Sequence, residues 1–171
     1  MASDVAAGHI PNVESLKYLK IRSKSGSTAI SVGKVVKLTE GTGVVAVTPA
    51  SANVLGPFGV IPNLYPVNVT TDTSTLVLTG GGQVYVTADG AIKPGSRVQP
   101  SASTAGEVVA FVVAAAGTTP SEAEVELAGE KFNAVVGIYE GHVDEGDGLD
   151  NPATDAADGD IIRISLVGGG L

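Results

Sequence analysis

The chain has 171 residues, with 18 Asp and Glu against 10 Lys and Arg, 23 Gly, 9 Pro and no Cys or Trp. That length suits one compact domain with appendages. The absence of cysteine excludes disulfides, thiolate metal sites and cysteine nucleophiles, and the net charge of −8 argues against a nucleic-acid partner.

Residues 1–15, MASDVAAGHIPNVES, hold neither a helical nor a strand period and read as an extended N-terminal arm. They lack the basic start and apolar middle of a secretion signal. Because the arm offers nothing to bury, it is expected to be mobile in the free protein and dispensable for folding. Residues 16–171 read as a single β domain. Its apolar residues are mainly Val, Ala, Ile and Leu, and valine packs well on a pleated surface.

LKYLKIRSKSGSTAIS alternates imperfectly. GKVVKLTE and VVAVTP then form two strands around Gly41-Thr42-Gly43. The loop 50–66 contains Pro57, Pro62 and Pro66, and prolines so closely spaced cannot lie in a central strand. VNVTT and STLVLTG are strand-like, Gly80-Gly81-Gly82 turns the chain, and QVYVTA follows. Asp89-Gly90 makes a turn before AIKPGSRVQP, and GEVVAFVVAA is a strong strand. Residues 120–131 fit a short helix capped by Ser121, or a strand alternating Val125, Leu127 and Phe132. NAVVGIYEG and IIRISLV close the domain. The fold class is therefore mainly β: a small barrel, sandwich or tulip-like domain with at most one or two short helices.

GKVVKL at Gly33 and GEVVAF at Gly106 share a pattern, but one echo does not establish a repeat. The longest apolar run, Val108 to Ala116, falls far short of the ~20 residues that cross a bilayer, so no membrane is expected. A mean hydropathy of +0.28 points instead to apolar surface that an oligomer or lattice covers. Phe58, Ile61, Leu64 and Tyr65 cluster in the Pro-rich loop. Each would gain roughly 1.5–3 kcal/mol on burial, so they are the expected interface of a homotrimer.

Groups for chemistry are few. His9 lies in the arm and His142 in an acidic stretch, which leaves no Ser-His-Asp or His-metal arrangement. Residues 122–160 hold twelve Asp or Glu against Lys131 alone, whereas the first 37 residues are basic. The acidic loop 142–160 could offer Asp144, Glu145, Asp147 and Asp150 to calcium, but the spacing departs from a calcium-loop pattern and a solvated loop is the plainer reading. No enzyme activity, cofactor or metal is expected.

TADGAIKPGSRVQPS (87–101), GEVVAF, AVVGIYEG (134–141) and DGDIIRISLV (158–167) occur in an order and spacing that resembles phage capsid decoration (cement) proteins. That family includes the lambda head decoration protein and related head structural proteins. The likeness covers about residues 30 to 167 and does not match the Pro-rich loop or the acidic loop. The resemblance implies a β-tulip domain that trimerises on the outer surface of a virion head. It implies binding to the major capsid protein at local threefold positions, which stabilises the shell. It also implies that the arm adds a strand to a capsid subunit, and Val5, His9, Ile10, Pro11 and Val13 are the arm residues expected to bind. Another virion component (tail, fibre or spike) shares this composition, and a carbohydrate-binding module is a more remote alternative.

Overall fold

The computed structural model describes residues 7–8, 10, 17–22, 30–39, 43–46, 58–63, 74–112, 135–143, 150–151 and 154–167. Among the described residues all regular structure is strand: β1 (Lys17–Arg22), β2 (Val35–Thr39), β3 (Gly43–Ala46), β4 (Phe58–Val60), β5 (Ser74–Gly80), β6 (Gln83–Thr87), β7 (Arg97–Pro100), β8 (Val108–Ala110), β9 (Gly137–Val143), β10 (Asp150–Asn151) and β11 (Ile161–Leu166). The segment 120–131, read as helix or strand, lies outside them, as does VNVTT.

The strands form two antiparallel sheets. One has the order β1-β5-β4-β2-β3, the other β6-β11-β9-β7-β8 with β10 beside β9. Numbered along the chain within each sheet with β10 set aside, both orders are 1-5-4-2-3, so the described strands form two units with one topology. The match extends to register. Val36 pairs with Gly59 and Ala46 in the first unit as Val98 pairs with Gly137 and Ala110 in the second. Val60 faces Leu78 as Ile138 faces Ser165.

The connections match as well. Gly33 and Gly95 both turn with positive φ, +78° and +77°. Gly33 N donates to Ile61 O at 2.8 Å and Ile61 N to Lys34 O at 3.2 Å. Gly95 N likewise donates to Tyr139 O at 3.1 Å and Tyr139 N to Ser96 O at 2.9 Å. In the second unit the turn is closed by Ser96 N donating to Lys93 O at 3.0 Å. Pro94 and Gly95 there hold the two central positions, where a fixed φ and a positive φ are wanted.

β4 overturns the expectation for the Pro-rich loop. It lies between β5 and β2, in the middle of its sheet. Three residues suffice to make the strand, and they fit between Pro57 and Pro62, so no proline has to join the ladder. Gly59 at its centre is needed for contact: a Cβ there would lie 2.3 Å from Val77 Cγ1 and 2.6 Å from Leu78 O. At the equivalent Gly137 it would lie 2.6 Å from Ser165 O.

Each unit has its own interior. Ile30, Val36, Ile61 and Val77 cluster in the first; their counterparts Ile92, Val98, Tyr139 and Ile164 belong to the larger cluster of the second. Two valines of the first unit, Val35 and Val60, also join that larger cluster, and this fixes one unit against the other. The second sheet is rolled, because a lone parallel bridge, Ala88 with Val108, ties its two edge strands at one end. Its strands do not close along their length, so the mainly β expectation holds but a closed barrel does not form among the described residues.

The acidic stretch 142–160 is partly built into this unit. Residues 144–149 and 152–153 lie outside the described set. Around them, β10 pairs with β9, and Ala156, 2% exposed, exchanges hydrogen bonds with Ile92. Asp160 accepts from Ala157 N at 2.6 Å and so shapes the last turn before β11.

Tyr139 is buried inside the second unit, and its hydroxyl donates to Thr154 O at 3.1 Å. Burial first, then the charges of Asp160 and Asp155, push its pKa up to about 12. A raised phenol pKa leaves stability intact below about pH 10, where the unfolded tyrosine keeps its proton. Between pH 10 and 12 the unfolded chain ionises first, and roughly 2–3 kcal/mol is lost. Tyr139→Phe removes one hydrogen bond, about 1 kcal/mol at neutral pH. The expected result is that urea-unfolding curves of wild type and variant converge, then cross, as pH rises from 9 to 12.

Gly59→Ala and Gly137→Ala each force a methyl group against the neighbouring backbone. Each is expected to lower stability by about 1–3 kcal/mol, as overpacking does. Chemical denaturation that leaves either variant at wild-type stability would contradict the shared strand contact.

Candidate functional site

Two surface features stand out from the two units: the root of the N-terminal segment and the outer face of the second sheet. Gly8 is buried, with φ +83°. Its N–H donates to Tyr85 O on β6 at 2.6 Å, and its carbonyl accepts from Asn63 N, just past β4, at 2.6 Å. One residue thus bonds both units through backbone atoms. The space is made by glycine on both sides. A Cβ on Gly8 would lie 2.8 Å from Gly33 N, and one on Gly33 would lie 2.3 Å from Ala7 Cβ.

The arm therefore does bury something, against the expectation from hydropathy. What it buries is main chain, which a side-chain pattern cannot report. Of the arm residues expected to bind a partner, Ile10 is half-buried close to this anchor. Val5, His9, Pro11 and Val13 lie outside the described residues.

Beside Gly33, Lys34 Nζ and Glu107 Oε1 form a half-buried ion pair at 2.8 Å, and Val35 N donates to Gly106 O at 2.8 Å. The turn that carries Glu107 is organised by Ser101, 1% exposed. Its hydroxyl donates to Asp89 and accepts from Ser103 N at 2.8 Å and Thr104 N at 3.0 Å.

On the outer face of the second sheet, register aligns Arg97, Ile138, Ser165 and Gln83 in one row across β7, β9, β11 and β6. Ile138 is 38% exposed. Next to it β9 bulges. Tyr139 pairs with Ile164 and Gly141 with Arg163, which leaves Glu140 as the extra residue. Its carboxylate accepts from Gln83 Nε2 and Ser165 Oγ, and Arg163 Nε stands 3.6 Å away. The cluster locks three strands on the outside as the core does within. Val112 and Val167 are also well exposed, at 65% and 45%.

Of the four residues expected at a trimer interface, Ile61 is the one whose burial the structure describes. Ile61 is 2% exposed in the interior of the first unit, where it is the counterpart of Tyr139, so its side chain is already used within the chain. Phe58 begins β4, and Leu64 and Tyr65 lie outside the described residues. The row around Ile138 went unnoticed in the sequence because VGIYE alternates like any buried strand. Only its place on the outer face distinguishes it.

Among the described residues, no group of three or more His, Cys, Asp or Glu side chains is placed to hold a metal ion. Asp144, Glu145 and Asp147 lie outside them, and Asp150 falls in β10. No protein-family model matches this chain, and no curated protein matches it significantly.

Gly33→Ala clashes chiefly with Ala7 and Gly8. Its cost in the full chain is expected to exceed its cost in a chain lacking residues 1–9, with a coupling of about 1 kcal/mol or more. The truncation alone should also lower the melting temperature. Equal costs in both backgrounds would show that the segment does not sit on Gly33.

Proposed function

We propose that this protein is a viral capsid decoration protein. It binds the outer surface of the head as a homotrimer at local threefold positions and stabilises the shell by bridging major capsid subunits. The observation that carries this reading is the outer row around Ile138, an apolar centre set between polar and charged neighbours on the second sheet. Such a face fits a protein partner, since interfaces combine an apolar centre with a polar rim. The resemblance of about residues 30 to 167 to cement proteins suggests which partner.

The N-terminal segment supports the same reading. Gly8 fixes it to both units, so the residues ahead of Gly8 start from a defined point and can reach a neighbouring subunit to add a strand to its edge. No step requires an activated side chain. A protein that binds the assembled lattice and not its separated subunits stabilises the lattice by mass action. Many modest contacts repeated over a shell then act together.

Particles stripped of this protein are expected to burst at lower temperature than complete ones, and adding the purified protein should restore the difference. Equal burst temperatures at full and zero occupancy would reject the cementing role. A copy number of only a few per particle would instead point to a tail, fibre or spike component.

A further inference from the structure

Contacts that cross between the two units gather around the turn before β2. Gly33 lies under Ala7 and Gly8, Lys34 Nζ meets Glu107 Oε1 at 2.8 Å, and Val35 N donates to Gly106 O at 2.8 Å. Val35 and Val60 fill the interior of the second unit. Gly8 stands beside these groups but belongs to neither sheet. Its N–H reaches Tyr85 O on the second unit and its carbonyl takes Asn63 N on the first, both at 2.6 Å. The covalent link between the units is short. Gly80 closes the β5 ladder opposite Lys17, and Gly82 O is held by Leu166 N at 3.0 Å. Gly81 between them is exposed, with φ +74°.

We propose that the N-terminal segment is a strap that keeps the two units closed, and that lifting Gly8 from its seat lets them part about Gly81. The seat is made of main chain. Tyr85 O and Asn63 N hold Gly8, and Gly33 supplies a floor without a side chain. Release therefore costs chiefly two backbone hydrogen bonds, each of which contributes a small net amount in water. The valine pair and the ion pair still favour the closed form once the strap is gone. Release thus raises the frequency of opening and does not separate the units outright, as local opening does elsewhere in proteins. In the open form Val35 N and Gly106 O lose each other, Val35 and Val60 meet water, and each unit keeps its own ladders. A partner that draws the N-terminal segment to itself loosens the junction without touching it. The inference rests on the seat of Gly8 and goes beyond the capsid reading, because any partner that takes the segment has the same effect.

Amide hydrogen exchange on the full chain reads the opening directly. Val35 N donates across the junction, whereas the ladder amides of β1–β5 and β9–β11 donate within one unit. Gly8→Pro unseats the strap without shortening the chain. Proline has no N–H for Tyr85 O and cannot take the φ of +83° found at this position. In this variant the Val35 amide is expected to exchange about tenfold faster than in wild type, or more, as the loss of two hydrogen bonds requires. The ladder amides are expected to stay within about twofold of their wild-type rates. If Gly8→Pro fails to fold, Gly8→Ala serves in its place, since its Cβ would lie 2.8 Å from Gly33 N and 2.9 Å from Asn63 N. The proposal is overturned if Val35 keeps its wild-type rate in the unseated variant. It is equally overturned if Val35 and the ladder amides accelerate together, because that outcome means a loss of overall stability without a separate opening of the junction.

Discussion

Gly33, Lys34 and Val35 are the constraint on which the arrangement depends. Gly33 closes the first unit through Ile61 and leaves room for Ala7 and Gly8. Lys34 reaches Glu107, and Val35 both bonds Gly106 and fills the interior of the second unit. The three residues thus join the N-terminal segment, the first unit and the second unit within one turn and the start of one strand. A side chain in place of the glycine hydrogen at position 33 would separate the first of these from the others. A polar residue at 35 would leave an unpaired group in the second interior, where it has no water to bond.

With no disulfide available, the two units are held by side-chain packing and by backbone hydrogen bonds that cross between them. The two interiors share one plan. Among the described residues, Ile61 of the first stands at the position that Tyr139 occupies in the second. The larger tyrosine extends to Thr154 O and so fastens the segment after β10, which is also held by Ala156 against Ile92. A substitution within the interior thus brings the acidic stretch into the fold of the second unit.

Most strands were legible in the sequence, because Val-rich runs separated by Gly and Pro turns leave few alternatives. The turn at Pro94-Gly95 was legible for a stricter reason: only glycine adopts its third position without strain. β4 was not, since prolines on both sides hide a three-residue strand. The echo between GKVVKL and GEVVAF does not reflect the duplication, because β2 corresponds to β7 and β3 to β8. The better signal was AISVGKVV against AIKPGSRV, in which the interior isoleucine and the turning glycine keep their spacing. A fixed period cannot find it, because the offset between equivalents grows from 62 residues at Gly33 and Gly95 to 87 at Val77 and Ile164. Outer positions differ freely, since only one unit buries them. The candidate surface was illegible for the same reason: the hydropathy of Ile138 is that of a core residue, and its exposure is a property of the assembled sheets.

The burial of Val35 and Val60 by the second unit has a consequence during synthesis. The first unit is complete at Gly80, while its covering partner is finished only at Leu166. At ribosomal speeds of about 5–20 residues per second, that interval is on the order of ten seconds. Through it the nascent chain displays an uncovered valine pair whose proper cover has not yet been made. On a crowded polysome, the finished second unit of a neighbouring chain offers the same cover sooner. Strands that share one topology can then exchange partners between chains, and the yield of correctly paired halves depends on how quickly the second half follows the first.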